Sequence, residues 1–369
     1  MADKAPESWV GLFHGDPRPW ILASDEAPAR WVALSRLMDL SDDEAEPERA
    51  AAVASPMVQQ LIPRLTPWGE EAAVSGHDRP AYVPNILHLM ADMGLRGGDD
   101  EKVEDTLDAL SGHQYQDGRF LAYGRAPGHA KPLWGSLPCD THIITEALIR
   151  YGRVGQGATQ RGLDRVASDL QLTNQGPGWT CIPDPAVGFR GPGRKGDVCP
   201  QVTLEALRLF SRIDPGGRPE RLEVAAITAL AVWRDRGGEQ PYMFGHGYRF
   251  KTVKWPPLWY GVYWSLDTLS RYPGLWRSGP PWVRQALADL LACLVGYNVS
   301  ADGTVTPRSV YRGFESFSYG QKKRPSPWAT ALTAKVVRRL SDITDEALTV
   351  EPGRLTSSKG GSGAPVLPR

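Results

Sequence analysis

The stretch Gln114-Tyr115-Gln116-Asp117-Gly118-Arg119-Phe120 decides the fold, because it is a tight Q-x-x-D-G-x-aromatic turn between two helical patterns. Looser copies occur at Gly178-Trp179 and at 298–304, and Trp68-Gly69 and Gly237-Gly238 fall where further copies belong. The glycines recur at intervals of about 50 to 65 residues, the length of one helical hairpin with its loops. The spacing predicts an all-α array of helical repeats.

Helical periodicity dominates the rest of the chain, and few segments alternate with period two, so strands are expected to be scarce. One helix pair cannot bury its apolar face alone, whereas about five to six stacked hairpins can form a ring around a cavity. The predicted helices span 29–40, 46–65, 83–93, 101–110, 140–151, 160–170, 201–211, 221–233, 259–272, 281–295 and 327–341.

The overall composition of the chain limits the kinds of molecule that it is expected to bind. Lys+Arg and Asp+Glu both total 42 in 369 residues, so no net charge attracts nucleic acid or anionic lipid. No window approaches 18 consecutive apolar residues, and the first residues lack a secretory signal, so we expect no membrane span and a cytoplasmic location. Thirteen tryptophans suit a pocket for an apolar or aromatic small molecule. No P-loop and no G-x-S-x-G elbow occurs.

The repeat turn and its helical context resemble the prenyltransferase and squalene–hopene cyclase superfamily, an α/α toroid or barrel. The segments 16–22 and 30–34, together with the closing 302–330 region, resemble a little-characterised bacterial group within it. The resemblance implies one α/α toroid domain over residues 16–345, preceded by an N-terminal arm (1–15). A tail rich in Ser and Gly, 346–369, is predicted to be disordered.

Not every chemistry of this superfamily agrees with the sequence. Cyclases that protonate their substrate resemble one another in an Asp-x-Asp-Asp motif, and no acidic cluster of this chain has that spacing. Prenyltransferase β-subunits bind Zn²⁺ through Asp, Cys and His, and the bacterial group has cysteines similar to Cys139, Cys181 and Cys199. The resemblance therefore implies a zinc site on these three cysteines, whereas Cys293 lies in an apolar run and is expected in the core.

Two histidines compete for the fourth position of that site. His246 is favoured, because its glycine-flanked loop should open at the same end of the ring as Cys181 and Cys199, and His142 is the alternative, three residues after Cys139. Four protein ligands are typical of a closed structural zinc site, whereas three leave an open catalytic position. Soft thiolate ligands also suit copper.

Further residues are predicted to act on or hold the substrate. Asp140 and His142 are the candidate catalytic residues, with helix capping as the alternative role of Asp140. Aromatic side chains beside cations suit a substrate with an apolar body and an anionic group. The candidate substrate-binding residues are Trp179, Tyr248, Arg249, Lys254, Trp259 and Tyr263.

The sequence leaves two classes of function open. The first is a metal-assisted enzyme that transfers, cyclises, isomerises or cleaves a hydrophobic or aromatic, anionic small molecule in the ring, with a copper-dependent oxidative enzyme as a variant. The second is a non-catalytic binding or scaffold protein with a structural Cys₃His zinc site. A metal-free enzyme that uses Asp140 is a third hypothesis. The oligomeric state is left open.

Overall fold

The computed structural model describes residues 8–70, 74, 76–126, 128–182, 184–189, 194–236, 248–259 and 261–353. Among the residues that the structure describes, 55% lie in helices and 6% in strands, which confirms the predicted all-α class. Short strand pairs flank the helices: β1 (Ala122–Gly124) with β2 (Leu133–Gly135), β3 (Gln171–Thr173) with β4 (Gly176–Gly178), and β5 (Lys254–Trp255) with β6 (Ser309–Val310). The first two pairs are antiparallel and the third is parallel.

The α-helices of the described residues are α1 (Arg18–Leu22), α2 (Ala27–Leu37), α3 (Asp42–Ala54), α4 (Pro56–Gln59), α5 (Val83–Asp92), α6 (Glu101–Gly112), α7 (Pro138–Arg150), α8 (Gly157–Ser168), α9 (Pro200–Phe210), α10 (Leu222–Arg234), α11 (Tyr248–Lys251), α12 (Val262–Leu269), α13 (Gly274–Arg277), α14 (Pro281–Asn298), α15 (Pro327–Arg339) and α16 (Thr344–Leu348). Each helix predicted from the sequence overlaps one of these.

The largest shift of a helix boundary is in the second predicted helix. The structure begins α3 at Asp42, because Ser41 and Glu44 form a reciprocal capping box there. It ends α3 at Ala54, where Ser55 takes an extended conformation before Pro56. The remainder of the predicted 46–65 helix is therefore a separate short helix, α4, and a 3₁₀ turn at Ile62–Arg64.

Helix burial divides the helices into two sets. Every residue of α9 and α12 is buried, whereas α3 buries only Ala45 and Ala52. The inner helices α2, α5, α7, α9, α12 and α15 pack in the order α5–α7–α9–α12–α15–α2. The outer helices include α3 against α2, α8 against α7, α10 against α9, and α14 against α12. The N-terminal α2 therefore packs against α15, near the other end of the described chain.

The Q-x-x-D-G-x-F turn connects α6 to β1 and is held from two sides. Gly118 has φ +89° and needs to be glycine, because a Cβ there would lie 2.2 Å from the carbonyl oxygen of Arg161 in α8. The backbone N–H of Phe120 donates to Oγ1 of Thr141 in α7, 3.1 Å away. The turn thus fixes the position of an outer helix relative to an inner one.

The same hydrogen bond recurs in two further repeats. Trp179 N–H donates to Thr203 Oγ1 in α9 at 3.1 Å, and Val305 N–H donates to Thr330 Oγ1 in α15 at 2.9 Å. In each case the threonine is the fourth residue of a helix that begins with proline, in Pro138–Thr141, Pro200–Thr203 and Pro327–Thr330. Proline suits this first position because it needs no hydrogen-bond acceptor there. We call these three hydrogen bonds the turn–threonine bonds.

We expect Thr203→Val to lower the free energy of unfolding by about 1–3 kcal/mol, because it leaves the buried N–H of Trp179 without an acceptor. Valine retains the shape of threonine, so little packing is lost. Thr349→Val is the matched control: Thr349 is exposed at the end of α16, where such changes stay within about 0.5 kcal/mol. Urea unfolding followed by circular dichroism measures both, and equal midpoints for the two variants would contradict the structural role of this bond.

Candidate functional site

A buried carboxylate with an unused oxygen marks the candidate site. Glu205 lies in α9 and is 3% exposed. Its Oε1 accepts from Gln201 Nε2 at 2.6 Å, one helical turn earlier, and lies 3.2 Å from Nδ1 of His77. Its Oε2 is buried and has no hydrogen-bond partner among the described residues. A buried carboxylate oxygen without a donor is unfavourable for the fold, so it is a place to look for function.

His77 supplies the positive charge opposite Glu205. It lies in the 3₁₀ turn Gly76–Asp78, just before α5. Burial disfavours its charged form, but the hydrogen bond and charge of Glu205, with the charges of Asp140 and Asp78, outweigh burial and raise the pKa of His77 above its ordinary value. His77 therefore donates from Nδ1 to the Glu205 carboxylate. The side chain is 14% exposed, so the pair lies at the edge of the buried interior.

The predicted catalytic residue Asp140 lies fully buried in the first turn of α7. Its Oδ1 accepts from Tyr82 Oη at 2.9 Å, and its Oδ2 accepts from the backbone N–H of Leu137 at 3.1 Å. Burial and the Asp140 carboxylate together raise the pKa of Tyr82 well above its ordinary value. Asp140 therefore caps α7 and also contributes negative charge near His77.

A cavity of about 20 Å³ lies between α5, α7, α9, α12 and residues 256–258. That volume is about the size of one water molecule. Leu89, Ile143 and Trp264 contribute to its apolar wall. Its polar wall consists of Asn85, His88, Asp92, Glu146, Glu205 and Arg208. Glu205 therefore belongs both to the pair with His77 and to the wall of this cavity between the inner helices.

His88 and Glu146 are both deprotonated in this wall, so His88 is neutral and Glu146 is negatively charged. Burial lowers the pKa of His88 to about 3, so its neutral ring donates from Nε2 to the Ile143 carbonyl oxygen, 3.0 Å away. Burial alone would raise the pKa of Glu146, but the charges of Arg208, Arg212 and Arg150 hold it well below the ordinary value. Glu146 is therefore a carboxylate that accepts from Arg208 at 2.9 Å and from Arg212 at 2.8 Å.

The three predicted metal-binding cysteines lie near the N-terminal ends of α7 and α9. Cys139 is the second residue of α7, Cys199 is the residue before α9, and Cys181 follows the β3–β4 hairpin. Burial raises the pKa of Cys199 to about 12, and the nearby Cys181 adds to that rise. None of the four cysteines, all of which the structure describes, forms a disulfide, and Cys293 is buried as expected.

The described residues do not by themselves form a metal site. Within the described ranges, no group of three or more His, Cys, Asp or Glu side chains has an arrangement that could hold a metal ion. His246, the favoured fourth ligand, lies outside the described residues. The raised pKa of Cys199 means that its thiol stays protonated near neutral pH unless a cation stabilises the thiolate. The zinc site therefore stays a prediction.

His142, the alternative ligand and predicted catalytic residue, is buried between α7 and α9. Its Nδ1 donates to the Val202 carbonyl oxygen at 3.1 Å, and burial lowers its pKa to about 3. Its Nε2 is buried and has no hydrogen-bond partner in the described chain. The ring meets Trp179 edge-on, with 6.4 Å between ring centroids. His142 is therefore a neutral imidazole with one unused acceptor.

The predicted substrate-binding aromatics occupy different environments. Trp179 is fully buried and donates from Nε1 to the Val166 carbonyl oxygen at 2.7 Å. Tyr263 is 5% exposed and packs against Trp255. Trp259 is half-buried, and its ring centroid lies 5.6 Å from that of His77. Of these three, Trp259 is therefore the one that the structure brings to the Glu205 site.

The predicted cations lie on the same side of the molecule as His77. Arg249 and Lys254 are exposed, and Lys254 Nζ lies 3.8 Å from the ring centroid of Tyr311. Partial burial lowers the pKa of Lys254, Arg249 lowers it further, and Asp78, the neighbour of His77, opposes this. The structure describes the backbone of Tyr248 in α11, but its side chain lies outside the description.

Sequence reasoning missed His77, Glu205 and Tyr82. Glu205 had a visible signal, because it and Arg208 interrupt the otherwise apolar run of α9. A charged residue inside a fully buried helix is rare unless it is paired or functional. His77 had no comparable signal, since it contacts Glu205 across 128 positions of the chain.

We expect Glu205→Gln to lower the pKa of His77, because it removes the charge that outweighs burial. Because the pKa of His77 is higher in the folded protein than in the unfolded chain, the pair contributes its full stabilisation below pH about 6.5, the ordinary pKa of a histidine. This contribution is lost as the pH rises through the pKa of the folded state. NMR titration of the histidine Cε1–H signals measures the shift. Asp289→Asn, on the outer helix α14, is the control, and an unchanged His77 pKa in Glu205→Gln would refute the pairing.

Two further findings bear on identity. No helix of the described chain is both long and apolar enough to cross a membrane. Neither a protein-family model nor a curated protein matches the sequence.

Proposed function

We propose that the protein is an enzyme that moves protons on a small molecule with an apolar body and an anionic group. The inner helices form the ring of an α/α toroid in this proposal, and the reaction takes place where α7 and α9 begin. The α5–α7–α9–α12–α15–α2 packing order supports the ring, because α15 brings the last hairpin back to the first. The unpartnered Oε2 of Glu205 is the observation that supports the chemistry.

Each group of the site has a role in this proposal. Glu205 is the general base, because its Oε2 accepts no hydrogen bond from the described residues, while Oε1 is held by Gln201 and His77. His77, with its raised pKa, is the proton donor that completes the transfer. Proton transfer of this kind supports isomerisation, cyclisation or cleavage of a substrate.

The surroundings support the substrate class. Trp259 places an aromatic ring beside His77, and Arg249 and Lys254 provide positive charge at the surface nearby. The cavity at Glu205 is only about 20 Å³, so a substrate reaches Oε2 after residues 256–258 move away. Closing over the bound molecule would then exclude water from the reacting atoms.

Incorporation of deuterium from the solvent tests this proposal whatever the product is. The proton that the site delivers to the substrate exchanges with the solvent, so the substrate gains deuterium in D₂O. The protein is incubated in D₂O with a defined panel of aromatic and terpenoid carboxylates and phosphates, and mass spectrometry detects deuterium gained by a panel member or its product. We expect Glu205→Gln to lower the rate by about 10²- to 10⁴-fold, because it removes the base. Glu220→Gln, an exposed glutamate, is the matched control. Incorporation at the wild-type rate by Glu205→Gln would rule out this role.

A zinc site on Cys139, Cys181, Cys199 and His246 is the second candidate, and the proximity of Cys181 to Cys199 favours it. Bound zinc would supply a Lewis acid or would hold the loops together. Elemental analysis of protein purified without added metal is expected to find about one zinc per chain, which Cys181→Ser removes. Copper in its place would indicate the oxidative alternative, and a metal content near zero would contradict the site.

The state of the Cys181→Ser variant then separates catalysis from scaffolding. A variant that keeps its circular dichroism spectrum but loses turnover supports a catalytic metal. A variant that unfolds supports the structural zinc of a non-catalytic binding protein. Cys293→Ser is the control, since Cys293 is buried in α14 and is not one of the predicted ligands.

A further inference from the structure

A second cavity, of about 350 Å³, lies at the C-terminal end of α15 and is lined mainly by cations. Its volume falls within the range of small-molecule sites. The residues that give it its charge and its hydroxyl groups are Arg36, Lys335, Arg338, Arg339, Ser8 and Ser341. No carboxylate is among the described residues that line it. We call this cavity the cationic pocket.

The cationic pocket is separate from the Glu205 site. Arg36 and Arg339 lie in the last turns of the inner helices α2 and α15, and Lys335 lies one turn before Arg339. The Cys139 and Cys199 region, by contrast, lies where the inner helices α7 and α9 begin. A ligand of the cationic pocket would therefore occupy the opposite ends of the inner helices.

The buried interior between this pocket and the Glu205 cavity has too few carboxylates for its cations. Asp267 in α12 is paired with Arg339 at 2.9 Å, with Arg271 at 3.0 Å and with Lys335 at 3.5 Å. Glu146 is shared in the same way by Arg208 and Arg212. The carboxylates of this cluster are Asp92, Glu146 and Asp267, and its cations are Arg150, Arg208, Arg212, Arg271, Lys335 and Arg339. Buried charge without a counter-charge is costly.

Helix ends offset part of this excess. The C-terminus of an α-helix carries about half a negative charge, which stabilises cations in the last turn. The interaction of cations with helix ends is short-ranged, and it does not supply an acceptor for every hydrogen-bond donor of these side chains. The pocket side of α15 therefore retains the capacity to bind an anion.

Lys335 and Arg339 show which donors remain. Lys335 Nζ makes no hydrogen bond within the described chain, and its side chain is 11% exposed towards the cationic pocket. Burial lowers the pKa of Lys335 to about 7, Asp267 opposes this, and Arg339 adds repulsion. Arg339 uses only Nη1 for Asp267, so its Nε and Nη2 bind nothing else among the described residues. Arg338, by contrast, pairs with Asp39 on the outer side.

We propose that the cationic pocket binds a doubly charged phosphate group, held by Lys335, Arg339 and Arg36. Lysine and arginine beside serine hydroxyls are donors suited to phosphate, because each oxygen of the anion accepts charge-assisted hydrogen bonds. The bound anion supplies the negative charge that the buried cluster lacks. The size of the pocket leaves room for a small organic group attached to the phosphate.

Isothermal titration calorimetry at low ionic strength tests the proposal with inorganic phosphate, glycerol 3-phosphate and acetate. We expect both phosphates to bind and acetate to bind at least about tenfold more weakly, because it carries one charge. Tighter binding of glycerol 3-phosphate would identify a phosphate ester as the ligand, whereas equal affinity would identify free phosphate. Acetate binding as tightly as phosphate would overturn the proposal.

Lys335→Met is the main variant, and it should weaken phosphate binding by about tenfold or more. Lys322→Met, on an exposed lysine outside the pocket, is the matched control and should bind as wild type. Should Lys335→Met fail to fold, Arg36→Gln, exposed at the pocket rim, replaces it and should also weaken binding. Unchanged phosphate affinity in the folded pocket variants would overturn the proposal.

Discussion

The turn–threonine bonds are the constraint on which the rest of the structure depends. Each one joins the backbone that leaves an outer helix to the first turn of an inner helix, at Thr141, Thr203 and Thr330. A buried N–H that lacks this acceptor would be costly, so the start of each of these inner helices is fixed relative to its loop. The consequence is that α7 and α9 begin side by side, which brings Asp140 and the cysteines to the same region as His77.

The two ends of the inner helices have opposite electrostatic character. Glu205 in the middle of α9 and Asp140 in the first turn of α7 contribute negative charge, and the pKa of His77 rises in response. Where the inner helices end, arginines and Lys335 outnumber the carboxylates. Helix dipoles favour this arrangement at both ends, since carboxylates are stabilised near N-termini and cations near C-termini. The charge in this core is balanced in part because Glu146 and Asp267 are each shared by more than one cation.

The sequence predicted the helices well, because helix formation depends on local signals. The caps that the structure shows at Ser41 with Glu44 and at Ser326 are local in the same way, since each joins residues three apart in the chain. The contact between His77 and Glu205, and the shared pairing of Asp267 with three cations, depend on helices that meet only in the folded chain. The repeated Pro-x-x-Thr at the start of three inner helices was a usable signal for the repeats, but hydrophobic periodicity does not reveal it. Trp179 and Tyr263 were predicted to bind substrate, but both are buried. Composition alone does not distinguish an aromatic residue of the core from one beside a site.

The packing of α15 against α2 has a consequence for how the chain is made. Trp328 N–H donates to Glu26 across 302 positions, so α2 can pack against α15 only after the residues between them have left the ribosome. The helices between them can stack in the order of synthesis, each on the one before it. Until α15 has been made, the apolar face of α2 has no cover from that partner, and such exposed apolar surface favours aggregation. The α2–α15 contact is therefore one of the last between inner helices that the growing chain can form.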